Sequence, residues 1–200
     1  MLTVSLKSEH TKILQDALAS IPGAVDRVGV RVLNSTATAL KNQVPVWVAE
    51  EFNIKQSRVK KYLKVRRAKK KLPIAIVVVK GTYGIPLKEF TTKKYQSGSS
   101  TRPGPGGRYT PAIGVPVKIK KTDGMEAEPG LFTQTMSNGH VGLFKQHPDK
   151  DDPEKIQEQY FPSILYILDK PRYDKRVEDF VDKEMQTQLT KKIEEELSGV

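Results

Sequence analysis

Cysteine is absent from this 200-residue sequence, and so is any long apolar run. Without cysteine there is no disulfide framework, no cysteine-based zinc or iron–sulfur site and no thiol nucleophile. No stretch approaches the roughly 18 apolar residues that a membrane-spanning helix needs, and the first residues lack the pattern of a secretory signal. We therefore expect no disulfide-stabilised scaffold and no membrane partner.

Side chains that could carry out catalysis are few and scattered. The histidines His10, His140 and His147 lie far apart in sequence without metal-binding spacing, and we expect them on the surface. The acidic residues in 149–154 lack the glycine and the bidentate glutamate of a calcium loop. Gly107 is followed by Arg-Tyr, whereas a phosphate-binding loop requires Lys-Ser or Lys-Thr. The sequence predicts no catalytic residue, no metal ligand, no cofactor and no enzymatic activity.

Enough apolar residues are present to build a core, since hydrophobic residues make up 37% of the chain. The length suits one domain. Within it we predict a helical part over 1–71, a β-rich part over 72–168 and a C-terminal helix over 172–198. Residues 97–107 are almost all serine, glycine and proline, which predicts a mobile loop over 97–111.

Amphipathic periodicity in the first third of the chain predicts several helices. Residues 9–20 and 22–43 form the first two, and Pro45 either ends or kinks the second. Residues 46–52 are helical again, with a tryptophan as a core anchor. A capping-box pattern at 53–56 predicts a further helix whose basic face continues to residue 71.

After residue 72 the pattern changes to that of strands. The β-branched run at 74–79 predicts a buried strand, and shorter strands are predicted at 85–90, 115–120 and 164–168. Asn-Gly between two apolar stretches predicts a hairpin at about 131–145, because both residues tolerate positive φ. Helices first, then strands, then one long helix predict an α+β fold with an antiparallel or mixed sheet.

Positive charge is concentrated in one segment, residues 55–71, which holds no acid and ten of the eleven net positive charges. Such a block attracts polyanions in a salt-dependent manner. It predicts contact with nucleic acid or with another acidic surface, and the alternative is a solvated helix end. The candidate residues are Lys55, Arg58, Lys60, Lys61, Lys64, Arg66, Arg67, Lys69, Lys70 and Lys71.

Residues 48–63 are predicted to form a helix, a short turn and a basic helix. A helix-turn-helix regulator has the same layout, and it would place residues 55–58 at base edges. An ordinary helical corner has the same layout. A nuclease is a third hypothesis, and the lack of a compact set of metal-binding carboxylates argues against it.

Several short motifs follow one another along most of the chain. They lie at residues 21–24, 31–36, 48–54, 59–68, 85–90, 129–132 and 138–144. In their order and spacing they resemble the prophage minor tail protein Z family, the tail-completion proteins of long-tailed phages. The resemblance covers about residues 10–197, and the sequence departs from it at Lys145-Gln146 and in the Asp-rich insert at 149–152.

This resemblance implies a structural virion component at the head-proximal end of a phage tail. It implies other tail and neck proteins as partners, a homo-oligomeric ring, and a place in the host cytoplasm during assembly. The family supplies no catalytic residues. Non-specific contact of the basic segment with DNA is compatible with this role, since phosphate contacts do not read bases.

Overall fold

A computed structural model describes residues 2–81, 84–91, 114–146 and 155–199. The fold is α+β, as predicted, with N-terminal helices, small antiparallel sheets and a long C-terminal helix. The chain forms two compact units: Met1–Trp47, Gln56–Gly81 and Leu165–Val200 build the first, and Val48–Lys55 and Thr82–Ile164 build the second. The single-domain organisation stays a prediction, and the predicted loop at 97–111 lies outside the described residues.

The first helix of the chain is shorter than the sequence pattern predicted, and the second is longer. Helix α1 is Ser8–Leu18 and helix α2 is Ala24–Glu51, so Pro45 lies inside one continuous helix and does not end it. Proline costs a helix about 3 kcal/mol. Here its neighbours Val44 and Trp47 are buried, and this apolar packing offsets the missing hydrogen bond.

The predicted basic helix is much shorter than expected. Helix α3 is only Gln56–Lys61, and the chain then forms strand β2, Leu63–Arg66. The prediction that a helical basic face continues to residue 71 was therefore wrong. The physical reason is the alternation of apolar and basic residues in Leu-Lys-Val-Arg, which buries Leu63 and exposes Lys64 and Arg66 with the period of a strand.

A three-stranded antiparallel sheet completes the β-structure of the first unit. Strand β1 (Leu2–Ser5) and strand β2 both pair with the central strand β3 (Ile74–Val79), with Val4 opposite Ala75 and Leu63 opposite Val79. One face of the sheet is the core face, where Val4, Leu63 and Ala75 are buried. The β-branched run was thus correctly predicted as a strand.

Two helices end the chain. Helix α4, Ile164–Leu168, was expected to be a strand, and that prediction was wrong. A five-residue apolar run does not distinguish a strand from a buried helical turn. Helix α5, Pro171–Ser198, agrees with the predicted C-terminal helix. Its apolar stripe is buried at Met185 and Leu189, where the helix lies in the same unit as α1.

The second unit is built from short strands. They are β4 (Ile85–Pro86), β5 (Val115–Val117), β6 (Glu126–Glu128), β7 (Phe132–Thr135), β8 (Val141–Gln146), β9 (Ile156–Glu158) and β10 (Tyr160–Phe161). They pair as β10-β4, β5-β6 and β7-β8-β9, all antiparallel. The segment expected as a strand at 85–90 is β4 followed by a 3-10 helix, Leu87–Phe90. Proline in the second position of β4 cannot donate a ladder hydrogen bond, which accounts for the short strand.

The hairpin β7–β8 was predicted, and its turn has a different type from the expected one. The Gly139 N–H donates to the Met136 carbonyl over 2.9 Å, and the Asn138 side chain accepts from the His140 N–H over 2.9 Å. Of the three loop residues 137–139, only Gly139 has a positive φ, +78°. The loop is therefore a three-residue turn closed by a glycine in the left-handed region, and not a two-residue Asn-Gly turn.

None of the helices in the described part of the chain is long and apolar enough to cross a membrane.

Candidate polyanion-binding surface

We call nine of the ten predicted cationic residues, those from Arg58 to Lys71, the basic surface. All ten side chains are exposed. Nine of them, from Arg58 to Lys71, belong to the first compact unit, whereas Lys55 belongs to the second. The nine come from three kinds of backbone, namely α3, β2 and the loop before β3.

The local sequence explains why the first of these cations point outward. In α3, Val59 is buried and anchors the helix, which leaves Arg58, Lys60 and Lys61 in solvent. In β2 the period of two turns Lys64 and Arg66 to the side opposite the buried Leu63. Exposure of the cations is thus the direct result of burying the apolar residues between them.

The loop after β2 is a tight turn closed by two backbone hydrogen bonds. The Lys69 N–H donates to the Leu72 carbonyl over 3.0 Å, and the Leu72 N–H donates to the Lys69 carbonyl over 2.9 Å. Lys70 and Lys71 occupy the centre of this turn. Lys70 lies 3.3 Å from Asp26 of α2, and both side chains are largely exposed, so the ion pair contributes little stability.

Asn34 of α2 fixes the position of the segment between β2 and this turn. Its Nδ2 donates to the Ala68 carbonyl over 3.2 Å, and its Oδ1 accepts from the Ala68 N–H over 2.8 Å. Ala68 is buried between the exposed Arg67 and Lys69. We call this pair of hydrogen bonds the Asn34 clamp, and sequence reasoning missed it because an asparagine inside a helix gives no sign of its distant partner.

Most of the basic surface has no counter-charge. Within the described residues, Lys70 is paired with Asp26 and Arg58 makes a further contact. The other seven side chains of the basic surface, and Lys55 in the second unit, have no hydrogen-bonding or ion-pair partner among those residues. Closely spaced unpaired cations hold condensed anions, and the release of counterions on binding a polyanion is the main source of its affinity.

The surface is suited to phosphates or carboxylates and not to reading a base sequence. Helix α3 has six residues, which corresponds to a length of about 9 Å. A recognition helix places several side chains along the major groove, and α3 does not offer that length. Nothing in the described residues favours the helix-turn-helix regulator.

Helix α5 carries carboxylates that are used within its own unit. Arg27 Nη2 lies 2.5 Å from Glu196 Oε1, and Arg31 lies 3.0 Å from both Glu195 and Glu196. The hydrogen bond from Lys192 lowers the pKa of Glu195 below its usual value. Nearer the middle of the helix, a 2.6 Å hydrogen bond to Asp182 raises the pKa of Lys7.

The two histidines within the described residues each contact a nearby residue. His10 was expected on the surface, and that was wrong: it is buried, and its Nδ1 accepts a 3.2 Å hydrogen bond from the Lys7 N–H at the start of α1. This role as a helix cap explains its burial. The exposed His140 lies 3.0 Å from Glu158, and His147 lies outside the described residues. No group of three metal-binding side chains occurs among the residues that the structure describes.

An α+β fold with a cationic surface, most of whose side chains have no partner among the described residues, is suited to electrostatic docking. Comparison with known families identifies this chain more closely. The family model described as prophage minor tail protein Z (GPZ) matches residues 16–200, so the chain belongs to that family, and the resemblance seen in the motifs is confirmed. It is thus a phage minor tail structural protein of the virion tail, associated with other tail proteins. No curated protein and no solved structure matches it.

Proposed function

We propose that this minor tail protein is a tail-completion component at the head-proximal end of the tail, where it contacts neck proteins and, through the basic surface, an acidic partner or DNA. The observation that carries the proposal is the seven exposed cations of the basic surface that have no partner among the described residues, in a chain of this family. A surface of this kind associates fast and without sequence preference, because long-range attraction guides the encounter. The protein has a structural role, without catalysis, and it assembles in the host cytoplasm.

We further propose that several copies form a ring. A ring requires two different, complementary patches on each copy. Besides the basic surface, the first unit offers exposed carboxylates of α5 that have no hydrogen-bonding or ion-pair partner among the described residues, including Asp174, Asp179 and Glu194. Charge complementarity between these two patches supports a head-to-tail contact. Light scattering over a range of concentrations and salt should give multiples of 22.4 kDa, and a monomer under all conditions contradicts the ring.

The position in the tail is tested with a phage whose copy of this gene is disrupted. Its lysate should contain separate heads and tails, and adding the purified protein should restore joined, infectious particles. Gold-labelled antibody should mark the tail end nearest the head. Label at the distal tip, or normal joining without the protein, would contradict the proposal.

The role of the basic surface is tested in the same assay with charge variants. Replacing Lys60, Lys61 and Lys64 by Gln should strongly reduce the recovery of infectious particles. A matched control replaces three other exposed lysines that have no partner in the described residues, Lys12, Lys175 and Lys183. Because both variants lose three charges, equal recovery would show that the basic surface has no special role. Incubation with DNA and Mg²⁺ or Mn²⁺ should leave the DNA intact.

A further inference from the structure

A polar groove of about 640 Å³ lies in the first unit. Its lining includes four cations from three separate segments: Arg31 of α2, Arg67 of the loop after β2, and Lys191 and Lys192 of α5. Only Arg67 belongs to the basic surface. Lys191 and Lys192 follow Arg67 by more than 100 residues, and Arg31 lies earlier in the chain, on α2. None of these three belongs to the basic run at 55–71.

The charges of the groove are only partly neutralised. Arg31 and Lys192 both contact Glu195, over 3.0 and 2.8 Å. Arg31 also contacts Glu196 over 3.0 Å, and Glu195 attracts Lys191 without forming an ion pair with it. Arg67 and Lys191 have no ion-pair partner among the described residues, and no carboxylate is among the described residues that line the groove. The groove therefore keeps a net positive charge that is ready for an external anion.

Neutral hydrogen-bonding side chains line the rest of the groove. Ser35, Thr38 and Asn42 follow Arg31 along one face of α2, and Gln188 of α5 faces the same space. From Arg31 to Asn42 the helix rises about 16 Å, which equals the rise of about five nucleotides of one strand. Apart from Ala39, the described lining consists of hydroxyls, amides and cations, with no aromatic side chain among them. Such groups are the ones that contact phosphates and sugars.

We propose that this groove binds the phosphodiester backbone of a nucleic acid, without base specificity. We choose phosphate over the carboxylates of an acidic protein because of the hydroxyl and amide lining and the extended length of the stripe. In addition, Ala39 is the one apolar residue in the described lining, whereas the centre of a protein interface is more apolar. This deepens the proposed function by assigning the polyanion. It does not require the head-proximal position or the ring.

The test is the salt dependence of binding to a fluorescent random-sequence duplex. Each phosphate contact contributes about 0.9 to the slope of log affinity against log salt. The double variant Arg67→Gln/Lys191→Gln should lower the slope by about 1.8 and weaken binding about 60-fold at 0.1 M salt. The control Lys175→Gln/Lys183→Gln removes two exposed charges from α5 outside the groove and should leave the slope close to that of the unchanged protein.

A gain of charge gives a second, independent measurement. Asn42→Lys adds a cation inside the groove and should raise the slope by about 0.9, whereas Gln186→Lys adds one to an exposed position outside the groove and should not. All of these side chains are exposed, so circular dichroism and urea midpoints should match those of the original protein.

Three results would overturn the inference. One is a slope that the double variant does not change, and another is no duplex binding at 50 mM salt by the original protein. The third is a combined result with polyglutamate. If polyglutamate displaces the duplex at equal charge concentration, and if the double variant loses as much affinity for polyglutamate as for the duplex, the groove would be assigned to an acidic protein. Because particle joining is measured separately with the Lys60, Lys61 and Lys64 variant, the proposed tail role can survive this failure.

Discussion

Removing the Asn34 clamp should destabilise the protein without touching any charge. In Asn34→Ala, the buried backbone N–H and carbonyl of Ala68 both lose their partner. Each such group costs about 1–2 kcal/mol when it stays buried, or less if water reaches it. Alanine gains about 0.5 kcal/mol over asparagine inside a helix. The expected loss is about 1.5–3.5 kcal/mol in the free energy of unfolding.

The matched control is Asn42→Ala, the same substitution in the same helix. Asn42 is exposed and has no hydrogen-bonding partner among the described residues, so its replacement should change the stability by no more than about 0.5 kcal/mol. Urea unfolding measures the free energy of unfolding of both variants. The dependence of this free energy on the urea concentration should keep the same slope as in the original protein. The difference between them isolates the two hydrogen bonds from the change in helix propensity.

Hydrogen exchange locates the effect. If the clamp fixes the loop, the Ala68 amide should exchange faster in Asn34→Ala, while amides of β8 in the other unit should keep their protection. Trypsin should also cut sooner after Arg67 and Lys69. Equal stability of the Asn34 and Asn42 variants, or unchanged exchange at Ala68, would refute the assignment of the clamp.

Three further predictions concern other parts of the chain. Leu143→Ala in the core of the second unit should lower the free energy of unfolding, measured with urea, by about 2–5 kcal/mol. The control Leu197→Ala, at a position that is 50% exposed, should lower it by less than about 0.5 kcal/mol. Similar losses in the two variants would contradict the burial of Leu143. Gly139→Ala forces a left-handed φ on a residue with a Cβ, and a loss of about 1 kcal/mol is expected by the same method. Because its bond with Lys192 lowers the pKa of Glu195, this carboxylate stabilises the fold above pH 4.5, and the contribution is lost as the pH falls through the lowered pKa. Glu195→Gln should therefore melt below the original protein at pH 7 and at the same temperature at pH 2, and a gap that persists in acid would contradict this.

The parts of the fold that sequence reasoning predicted are those specified by local patterns. The apolar period in α2, the β-branched run of β3 and the turn signal at Asn138-Gly139 each act over a few residues, and each produced the expected element. Errors arose where two local preferences compete. At residues 63–66 a strand alternation follows directly on a helical stretch, and the pairing with β3 decides between them.

In the candidate site, too, the local pattern could be predicted from the sequence and the distant contacts could not. A run of basic residues without acids is visible in any sequence, and all ten of its members are exposed as a binding surface requires. Contacts between distant segments are not visible, because nothing near Asn34 indicates Ala68, and nothing near Lys191 indicates Arg67. Tertiary packing brings these residues together, and only the folded chain shows the clamp and the groove.

Strand β2 lies at an edge of its sheet, with backbone groups that another strand could pair with. Two of its four side chains, Lys64 and Arg66, are cations. Copies of the chain that met edge to edge would bring these like charges together and repel each other. The residues that we propose for docking thereby also oppose edge-to-edge aggregation of the chain.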